Sequence, residues 1–333
     1  MDSDIRSLKR TDVRLLSGFD FRSHRTIKPL RAGFFVRDSA AVAGDAPKDF
    51  IRVYEYGRGR KNNPATWPAH IAKVGHKYYP IESVTEQLLT RIGQMLGLNM
   101  AKSRLMWVRG QLRFLSEYFL RRDESLVHGA QIFAGYLNDD AKFVEEVEQL
   151  EMSNEIFTFQ VVEAAVQKRF PANAEKILQD FVRLLSFDAI VGNNDRHFFN
   201  WGVISHVTDL QDARFSPIFD SARALLWNMS EKTLAKHEHN RPNFLQKYSR
   251  NSLPKMGWDD CKSLNHFELI LKIFEERPIF RDTIRALHVE NFDKTLEILI
   301  ATEFRDLMSP LRKDFILECL RIRLGNFREI ATL

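Results

Sequence analysis

Residues 192–200 read GNNDRHFFN, and they follow directly on a segment with helical periodicity at residues 174–190. Glycine followed by asparagine is typical of the turn that ends a helix. A polar cluster placed straight after a buried helix lies on a loop that a core element holds rigidly, and catalytic groups tend to lie on such loops. This run therefore predicts a functional loop at the end of a core helix.

The spacing of the polar residues in this run suits phosphoryl transfer. Asp195 can accept the proton of an attacking hydroxyl, and Asn200, five residues later, can return to coordinate Mg²⁺, as in the catalytic loop of kinases. Taken alone, Asp195-Arg196-His197 is equally well explained as a helix-capping turn with a buried His197, since short motifs often arise by chance. Other parts of the sequence must decide between the two interpretations.

A second carboxylate follows the loop at a fitting distance. Residues 215–220 read FSPIFD, an apolar segment that ends in Asp220, 25 residues after Asp195. Kinases place at such a position the carboxylate that binds the metal ion between the phosphates. We expect residues 214–219 to pair as a hairpin with residues 201–205. The alternative is an ordinary aspartate at the end of a strand.

Lys73 lies inside an apolar strand, where burying an unpaired ammonium would be costly. It therefore either points outward from a sheet edge or meets anions in a cleft. Glu86 is predicted in the first turn of the next helix, and a strand lysine paired with a helix glutamate holds the ATP phosphates in kinases. Glu82 competes for this pairing, because it is close in sequence and could also begin the helix. Gly93 and Gly97 share a face with Glu86 and would let the helix approach the sheet closely.

Two turns that contain glycine compete for the role of phosphate loop. The turn Gly57-Arg58-Gly59 is conspicuous, but it comes immediately before the Lys73 strand, where the second hairpin turn belongs. The loop that covers a nucleotide should join the two strands before that one. Residues 43–48, AGDAPK, occupy this position, where Gly44 would open backbone amides to phosphate and Lys48 would add a positive charge. We favour the Gly44 loop, which is otherwise an ordinary turn.

The strand-rich front of the chain is followed by a helix-rich back. Period-two alternation and short apolar runs predict strands, whereas helical spacing predicts helices. The predicted strands are 34–37, 50–56, 70–74, 104–108 and 112–117, and hardly any strand is predicted beyond about residue 120. The predicted helices are 84–97, 140–151, 155–169, 174–190, 265–276, 280–288, 292–306 and 310–326. This order predicts an α+β fold in two lobes: a small β-rich lobe over residues 1–118 with one key helix, and a larger, mostly helical lobe over residues 119–333.

Composition excludes several classes of protein. The 333 residues are 44% hydrophobic and 28% charged, as in ordinary globular proteins. The net charge of +5 is too small to indicate nucleic-acid binding, which needs clustered positive charge. Cys261 and Cys319 are too few for a disulfide framework or a cysteine metal site, and no apolar run is long enough to span a bilayer. We expect a soluble, reduced, cytoplasmic protein without a membrane span and without direct binding of nucleic acid.

Taken together, these residues resemble the HipA-like kinases, bacterial serine/threonine kinases with a two-lobed fold that often belong to toxin–antitoxin systems. The segment Asp195-Arg196-His197-Phe198-Phe199-Asn200 also fits the Asp-Arg-His-x-x-Asn signature of phosphatidylinositol kinases, which share the broader fold. The resemblance extends from about residue 34 to residue 230. It consists of Gly44-x-x-Pro47-Lys48, His70-Ile71-Ala72-Lys73, Glu86, Gly192-Asn193-x-Asp195-x-His197-x-x-Asn200 and Pro217-x-Phe219-Asp220.

The resemblance implies a kinase-like fold and an ATP-dependent phosphotransferase that uses Mg²⁺. Asp195 would be the general base, with His197 and Asn200 beside it in the catalytic loop. Asn200 and Asp220 would bind Mg²⁺. Glu117-Tyr118-Phe119 looks like the hinge that binds adenine through its backbone. The residues that would contact ATP are Gly44, Lys48, Lys73, Glu86, Glu117, Tyr118 and Phe119.

The resemblance further implies a protein serine or threonine as acceptor, in a toxin with an antitoxin-like partner or in a secreted effector kinase. Full-length HipA proteins carry an additional N-terminal subdomain, for which too few residues precede the Gly44 loop here, so the usual antitoxin surface is in question. Two alternatives stay open: a phosphoinositide or small-molecule kinase, and a catalytically inactive nucleotide-binding protein that regulates or assembles with a partner. Residues 250–333 are interpreted as scaffold, and Lys236, His237 and His239 as a solvated polar loop.

Overall fold

A computed structural model describes residues 8, 10–20, 27–38, 47–139, 141–150, 152–206, 212–259, 261, 263–287 and 291–333. In this part of the chain a small β-rich lobe is followed by a larger, mostly helical lobe. The predicted α+β fold class is therefore confirmed. A lobe boundary at residues 118/119 stays a proposal.

The small lobe is built on a five-stranded antiparallel sheet with the order β1-β2-β3-β5-β4. Ile51 and Val53 alternate with polar residues and are buried on one face, as the two-residue period of a strand requires. Lys48 is the register partner of Lys73, so the two lysines lie at the same end of the sheet. The strands are β1 (Phe35–Arg37), β2 (Lys48–Val53), β3 (Ala69–Lys73), β4 (Ser103–Val108) and β5 (Gln111–Glu117).

Helix α1 (Ile81–Met95) packs against β4 and β5. A Cβ at Gly93 would lie 2.3 Å from the sulfur of Met100, so a larger residue there would require the Met100 side chain to move. Gly97 follows the helix with a φ of 72°, the left-handed conformation in which helices commonly end. Gly93 therefore packs closely against Met100, which precedes β4, whereas Gly97 lies at the end of the helix; the close approach of these glycines to the sheet stays a prediction.

The large lobe combines a small antiparallel sheet with many helices. The predicted hairpin of residues 201–205 and 214–219 is present as the pairing of β7 with β8, although β8 is only two residues long. The strands are β6 (Glu124–His128), β7 (Gly202–His206) and β8 (Arg214–Phe215). The helices are α2 (Gly129–Leu137), α3 (Ala141–Gln149), α4 (Ser153–Ile156), α5 (Phe159–Arg169), α6 (Ala174–Val191), α7 (Glu231–His237), α8 (Arg241–Arg250), α9 (His266–Glu276), α10 (Arg281–Arg285), α11 (Phe292–Thr302) and α12 (Pro310–Ala331).

An aromatic cluster anchors the loop that follows α6. The rings of Phe133 and Phe157 lie 4.6 and 4.4 Å, centroid to centroid, from the ring of Phe198. Such pairs contribute about 0.5–1.5 kcal/mol each beyond the burial of their area. Because Phe198 belongs to the 192–200 loop and is 1% exposed, the core fixes the middle of this loop.

The two lobes share main-chain hydrogen bonds at one edge of the cleft. The Ile218 amide donates to the Asn99 carbonyl at 2.8 Å, and the Ala101 amide donates to the Ile218 carbonyl at 2.9 Å. Asn99 and Ala101 lie between α1 and β4, whereas Ile218 follows β8. The segment that leads to Asp220 is therefore bound to the small lobe.

Several elements differ from the sequence-based expectations. Strand β6 and helices α2, α7 and α8 were not predicted, and Lys236, His237 and His239 lie in α7 and the 3-10 turn after it, not in a loop. Helix α7 buries only Leu234, which leaves too little periodicity to recognise. None of the described helices is long and apolar enough to cross a membrane.

Candidate active site

Helix α6 ends in the turn that the sequence predicts. Gly192 has a φ of 73°, and the amides of Gly192 and Asn193 donate to the Asp188 carbonyl at 2.8 and 3.1 Å. The Asn193 side chain donates to the Asp188 carboxylate at 2.9 Å and accepts from the Asp195 amide at 3.2 Å. The backbone of Asp195 is thereby fixed to a buried helix.

The Asp195 carboxylate faces a cation. Arg223 Nε lies 3.3 Å from its Oδ2, and Arg223 Nη1 donates to its Oδ1 at 3.3 Å. The Arg223 guanidinium in turn lies over the ring of Trp227, 5.6 Å from its centroid. Burial raises the pKa of Asp195 above its ordinary value, and the charges of Arg223 and His197 reduce this rise without cancelling it. Raised basicity of this kind is what a general base requires.

Glu148 of α3 is a second carboxylate beside the loop, which the sequence analysis missed. Its Oε1 accepts the Phe198 amide hydrogen at 3.0 Å, and its Oε2 lies 3.9 Å from His197 Nδ1. Burial raises the pKa of Glu148. The His197 side chain is 31% exposed, so it is not the buried histidine of the capping-turn alternative, and the functional role of the loop stays a prediction.

Asn200 and Asp220 present oxygen atoms from two segments. The Asn200 side-chain amide donates to the Asp195 carbonyl at 2.8 Å, so the loop returns over the expected five residues. Asp220 has a φ of 53°, a conformation that residues other than glycine seldom adopt and that clusters at functional sites. Burial favours its protonated form, but the charge and hydrogen bond of Lys73, together with further nearby cations, outweigh burial and lower the pKa of Asp220 to about 2. Asp220 is therefore an anion at neutral pH.

Lys73 joins three elements through its ammonium group. Its Nζ lies 2.8 Å from Glu86 Oε1 and 2.8 Å from Asp220 Oδ1. Burial alone would lower the pKa of Lys73, yet the two carboxylates raise it above its ordinary value. Glu82 instead accepts the amide hydrogens of Lys77 and Tyr78 at 2.8 and 2.9 Å. Glu86, in the second rather than the first turn of α1, is therefore the partner of Lys73.

Lys48, which ends one candidate phosphate loop, and the competing Gly57-Arg58-Gly59 turn lie at opposite ends of the small sheet. Gly44 lies outside the described residues, but Lys48, which ends its loop, is paired in register with Lys73. Arg58 of the competing turn binds Glu117 at 2.6 and 3.0 Å, at the far end of the sheet. The Gly57-Arg58-Gly59 turn is thus held to the segment that resembles a hinge.

The hinge-like segment uses two of its amides within the sheet. The Glu117 amide donates to the Lys102 carbonyl at 2.7 Å, and the Tyr118 amide donates to the Ala69 carbonyl at 2.8 Å. The Phe119 ring lies 5.7 Å from the ring of Phe219, the residue before Asp220. An adenine ring would therefore meet carbonyl groups of this segment or the Phe119 amide, and not the amides of Glu117 or Tyr118.

The oxygen atoms of Asn200 and Asp220 suit Mg²⁺, which prefers oxygen ligands. Among the described residues no three His, Cys, Asp or Glu side chains form a group that could hold a metal by themselves. Proteins usually bind Mg²⁺ with one or two carboxylates together with substrate phosphates. The donor set fits a metal ion that binds together with a nucleotide.

Arg196 was not singled out by the sequence analysis as a functional residue. It is 5% exposed and forms a two-pronged ion pair with Asp188 of α6 at 2.9 and 3.0 Å. The sequence gives no sign of this ion pair, because Asp188 belongs to an ordinary helical pattern.

Comparison with known proteins places this geometry in context. Residues 40–258 match the model of the HipA-like C-terminal domain family. This match covers well over half of the chain and spans Lys73, the 192–200 loop and Asp220. No curated protein sequence matches the chain.

Two solved structures share the fold. A Helicobacter pylori proinflammatory kinase, CtkA, superposes with a TM-score of 0.67 at 16% identity, covering 85% of this chain and 92% of CtkA. HipA of Shewanella oneidensis MR-1, in a complex with HipB and operator DNA, superposes with a TM-score of 0.51 at 15% identity, covering 88% of this chain and 67% of HipA. The present chain therefore shares its fold with a kinase and with a protein of a toxin–antitoxin system.

Proposed function

The chain belongs to the HipA-like kinase family, and from that premise we propose that it transfers the γ-phosphoryl group of ATP to a serine or threonine hydroxyl of a protein. The observation that carries the proposal is the Lys73 ammonium, 2.8 Å from both Glu86 and Asp220. A strand lysine, a helix glutamate and a metal-binding aspartate form this arrangement in protein kinases.

Each part of the site has a task in this proposal. Asp195 accepts the proton of the attacking hydroxyl, and its raised pKa strengthens it as a base. Lys73 exchanges Asp220 for the nucleotide phosphates, while Glu86 keeps its ammonium oriented. Mg²⁺ held by Asn200 and Asp220 would neutralise charge on the phosphates. The protein supplies mainly orientation and charge, which account for most of the rate in such transfers.

The proposal also concerns the phosphoryl acceptor and a protein partner. The presence of HipB in the Shewanella HipA complex supports an antitoxin-like protein partner, and a cytoplasmic site of action fits this role. The segment from Asp195 to Asn200 also fits lipid kinases, so a phosphoinositide or small-molecule kinase is the second candidate. The presence of Lys73, Asp195, Asn200 and Asp220 together argues against an inactive nucleotide-binding protein.

Transfer from radiolabelled ATP tests the proposal. The purified protein is incubated with Mg²⁺ and either a protein extract or phosphoinositide vesicles, alongside Asp195→Asn and the control Asp282→Asn, whose side chain is 97% exposed. We expect label on protein, no label on lipid, and loss of label in Asp195→Asn alone. Label on lipid only would favour the second candidate. ATP binding without any transfer would support the inactive protein.

A further inference from the structure

We propose that Arg196 is a positioning residue that fixes the two metal ligands, Asn200 and Asp220, relative to each other. This inference rests on the proposed function, because it concerns the metal ion of that site. Arg196 itself touches neither a nucleotide nor a metal ion in this proposal. It acts through the backbone on either side of the ligands.

The Arg196 guanidinium uses all of its N–H groups. An arginine carries five such donors in a fixed plane. Nε and Nη2 donate to the two oxygens of Asp188 at 2.9 and 3.0 Å. Nη1 donates to the carbonyls of Asn200 and Phe219 at 2.9 and 2.8 Å, and Nη2 also donates to Ser221 Oγ at 2.9 Å.

These contacts include both segments that carry a metal ligand. The bond to the Asn200 carbonyl holds the residue that supplies one ligand. The bonds to Phe219 and Ser221 hold the residues directly before and after Asp220. Because Asp220 has a φ of 53°, its conformation must be maintained by its surroundings, and Arg196 binds both of its neighbours.

Asp188 fixes the direction of the guanidinium. It is 1% exposed and lies on α6, within the core of the large lobe. The planar guanidinium and the carboxylate form two parallel hydrogen bonds, which define an orientation as well as a distance. Because Arg196 is anchored to this rigid helix, the helix and not the loops fixes the distance between Asn200 and Asp220.

Lysine cannot reproduce this arrangement. A lysine ammonium keeps the positive charge but has three donors on one atom. It could still pair with Asp188, yet it could not also hold Asn200, Phe219 and Ser221 in a single plane. Arg196→Lys therefore separates the geometric role from the charge.

Metal affinity is the measurement that tests this role. Binding of Mn²⁺ is followed by its paramagnetic resonance signal in the presence of a non-hydrolysable ATP analogue, and binding of the analogue alone is measured in EDTA. We expect Arg196→Lys to weaken Mn²⁺ binding about 10–100-fold, the range found when residues that orient metal ligands are changed. Affinity for the analogue in EDTA should stay close to that of the wild type.

Arg312→Lys is the matched control. Arg312 is also buried and also binds one carboxylate, that of Glu231, and two backbone carbonyls, those of Leu226 and Met229. It should lower the melting temperature in a similar way without changing Mn²⁺ affinity. Equal loss of Mn²⁺ affinity in both variants, or wild-type affinity in Arg196→Lys, would overturn the inference.

A second variant keeps the test decisive if Arg196→Lys does not fold. Ser221→Ala removes one contact beside Asp220 and leaves the ion pair with Asp188 intact. We expect about 2–10-fold weaker Mn²⁺ binding, as for the loss of one hydrogen bond, and unchanged affinity would reject the role of Arg196. Failure of the wild type to bind the ATP analogue at all would instead reject the proposed function.

Discussion

The two sides of the cleft hold their charged groups in different ways. On the small-lobe side, the Lys73 ammonium is held by side chains alone, those of Glu86 and Asp220. On the large-lobe side, residues 192–200 are held through their backbone, by Asp188, Glu148 and Arg196. A side-chain ion pair can exchange its partner when a nucleotide binds, whereas backbone bonds preserve a geometry that must not change. We therefore expect the side-chain ion pairs of Lys73 to rearrange when a nucleotide binds, and the backbone of residues 192–200 to keep its geometry.

On the small-lobe side, removal of Lys73 should cause the largest loss of stability. Lys73→Met leaves Glu86 buried without its partner, and loss of one member of a buried ion pair costs about 3–5 kcal/mol of unfolding free energy. Chemical denaturation at pH 7 measures this loss. Lys272→Met, which removes an exposed ion pair with Glu276, is the control and should remain close to the wild type.

The same variant has a defined dependence on pH. Lys73 lowers the pKa of Asp220 to about 2, so the stability gained from this pairing is present above the ordinary aspartate pKa of about 3.9 and is lost as the pH falls towards 2. The difference in stability between wild type and Lys73→Met should therefore become smaller as the pH falls through this range. A constant difference down to pH 2 would contradict the pairing with Asp220.

On the large-lobe side, substitution of Gly192 should disturb the backbone contacts that hold residues 192–200. Gly192→Ala forces a side chain into a φ of 73°, where its Cβ would lie 3.0 Å from the Arg323 guanidinium carbon. The left-handed conformation costs about 1–2 kcal/mol, and the displaced turn should also lower kcat. Gly135→Ala in α2, where a Cβ meets nothing within 4 Å, is the control and should be neutral or stabilising. Equal effects of the two substitutions would count against a rigid turn.

Arg223 is an exception on the large-lobe side, because it binds the Asp195 side chain and not the backbone of the loop. Asp195 must be ionised to act as a base, so activity falls as the pH decreases through its raised pKa. Arg223→Gln removes a charge that lowers this pKa and should move the acid limb of the kcat profile to higher pH by about one unit. Arg214→Gln, which loses a pair with Glu124, should leave the limb in place. A limb that does not move in Arg223→Gln would argue against Asp195 as the base.

Arg58 should give the smallest effect. Its ion pair with Glu117 is about half exposed on the Arg58 side, and such surface pairs contribute roughly 0.2–1 kcal/mol. Arg58→Gln should therefore change stability by less than about 1 kcal/mol and leave the KM for ATP nearly unchanged. A large rise in the KM for ATP would show that the Gly57-Arg58-Gly59 turn controls the hinge-like segment.

Much of the fold followed from local patterns. The strands of the small lobe and helices α1, α5, α6, α9 and α12 each have a clear period, and they were predicted within a few residues of their ends. Short elements such as β6 and α7 were missed, because they depend on partners that are distant in sequence. Strand β6 pairs with β7, which lies more than seventy residues further along the chain.

The candidate site was partly visible in the sequence. Asp195, Asn200, Asp220 and Lys73 belong to motifs with recognisable spacing, and the structure brings their segments together, although their roles stay predictions. Glu148 and Arg196 were not recognised, because their contacts with Phe198, Asp188 and Ser221 arise only from tertiary packing. Choosing Glu86 over Glu82 also needed the structure, since both glutamates lie near the start of α1.

The backbone pairing of Ile218 with Asn99 and Ala101 has a mechanical consequence for the cleft. A rotation of one lobe against the other must preserve this pairing or break it, so we expect the pivot of any opening motion to pass close to Ile218. Atoms near a pivot travel least, which keeps Asp220, two residues away, almost stationary. Parts of the small lobe that lie farther from Ile218 would move through larger distances, so a nucleotide could enter the cleft while Asp220 keeps its position.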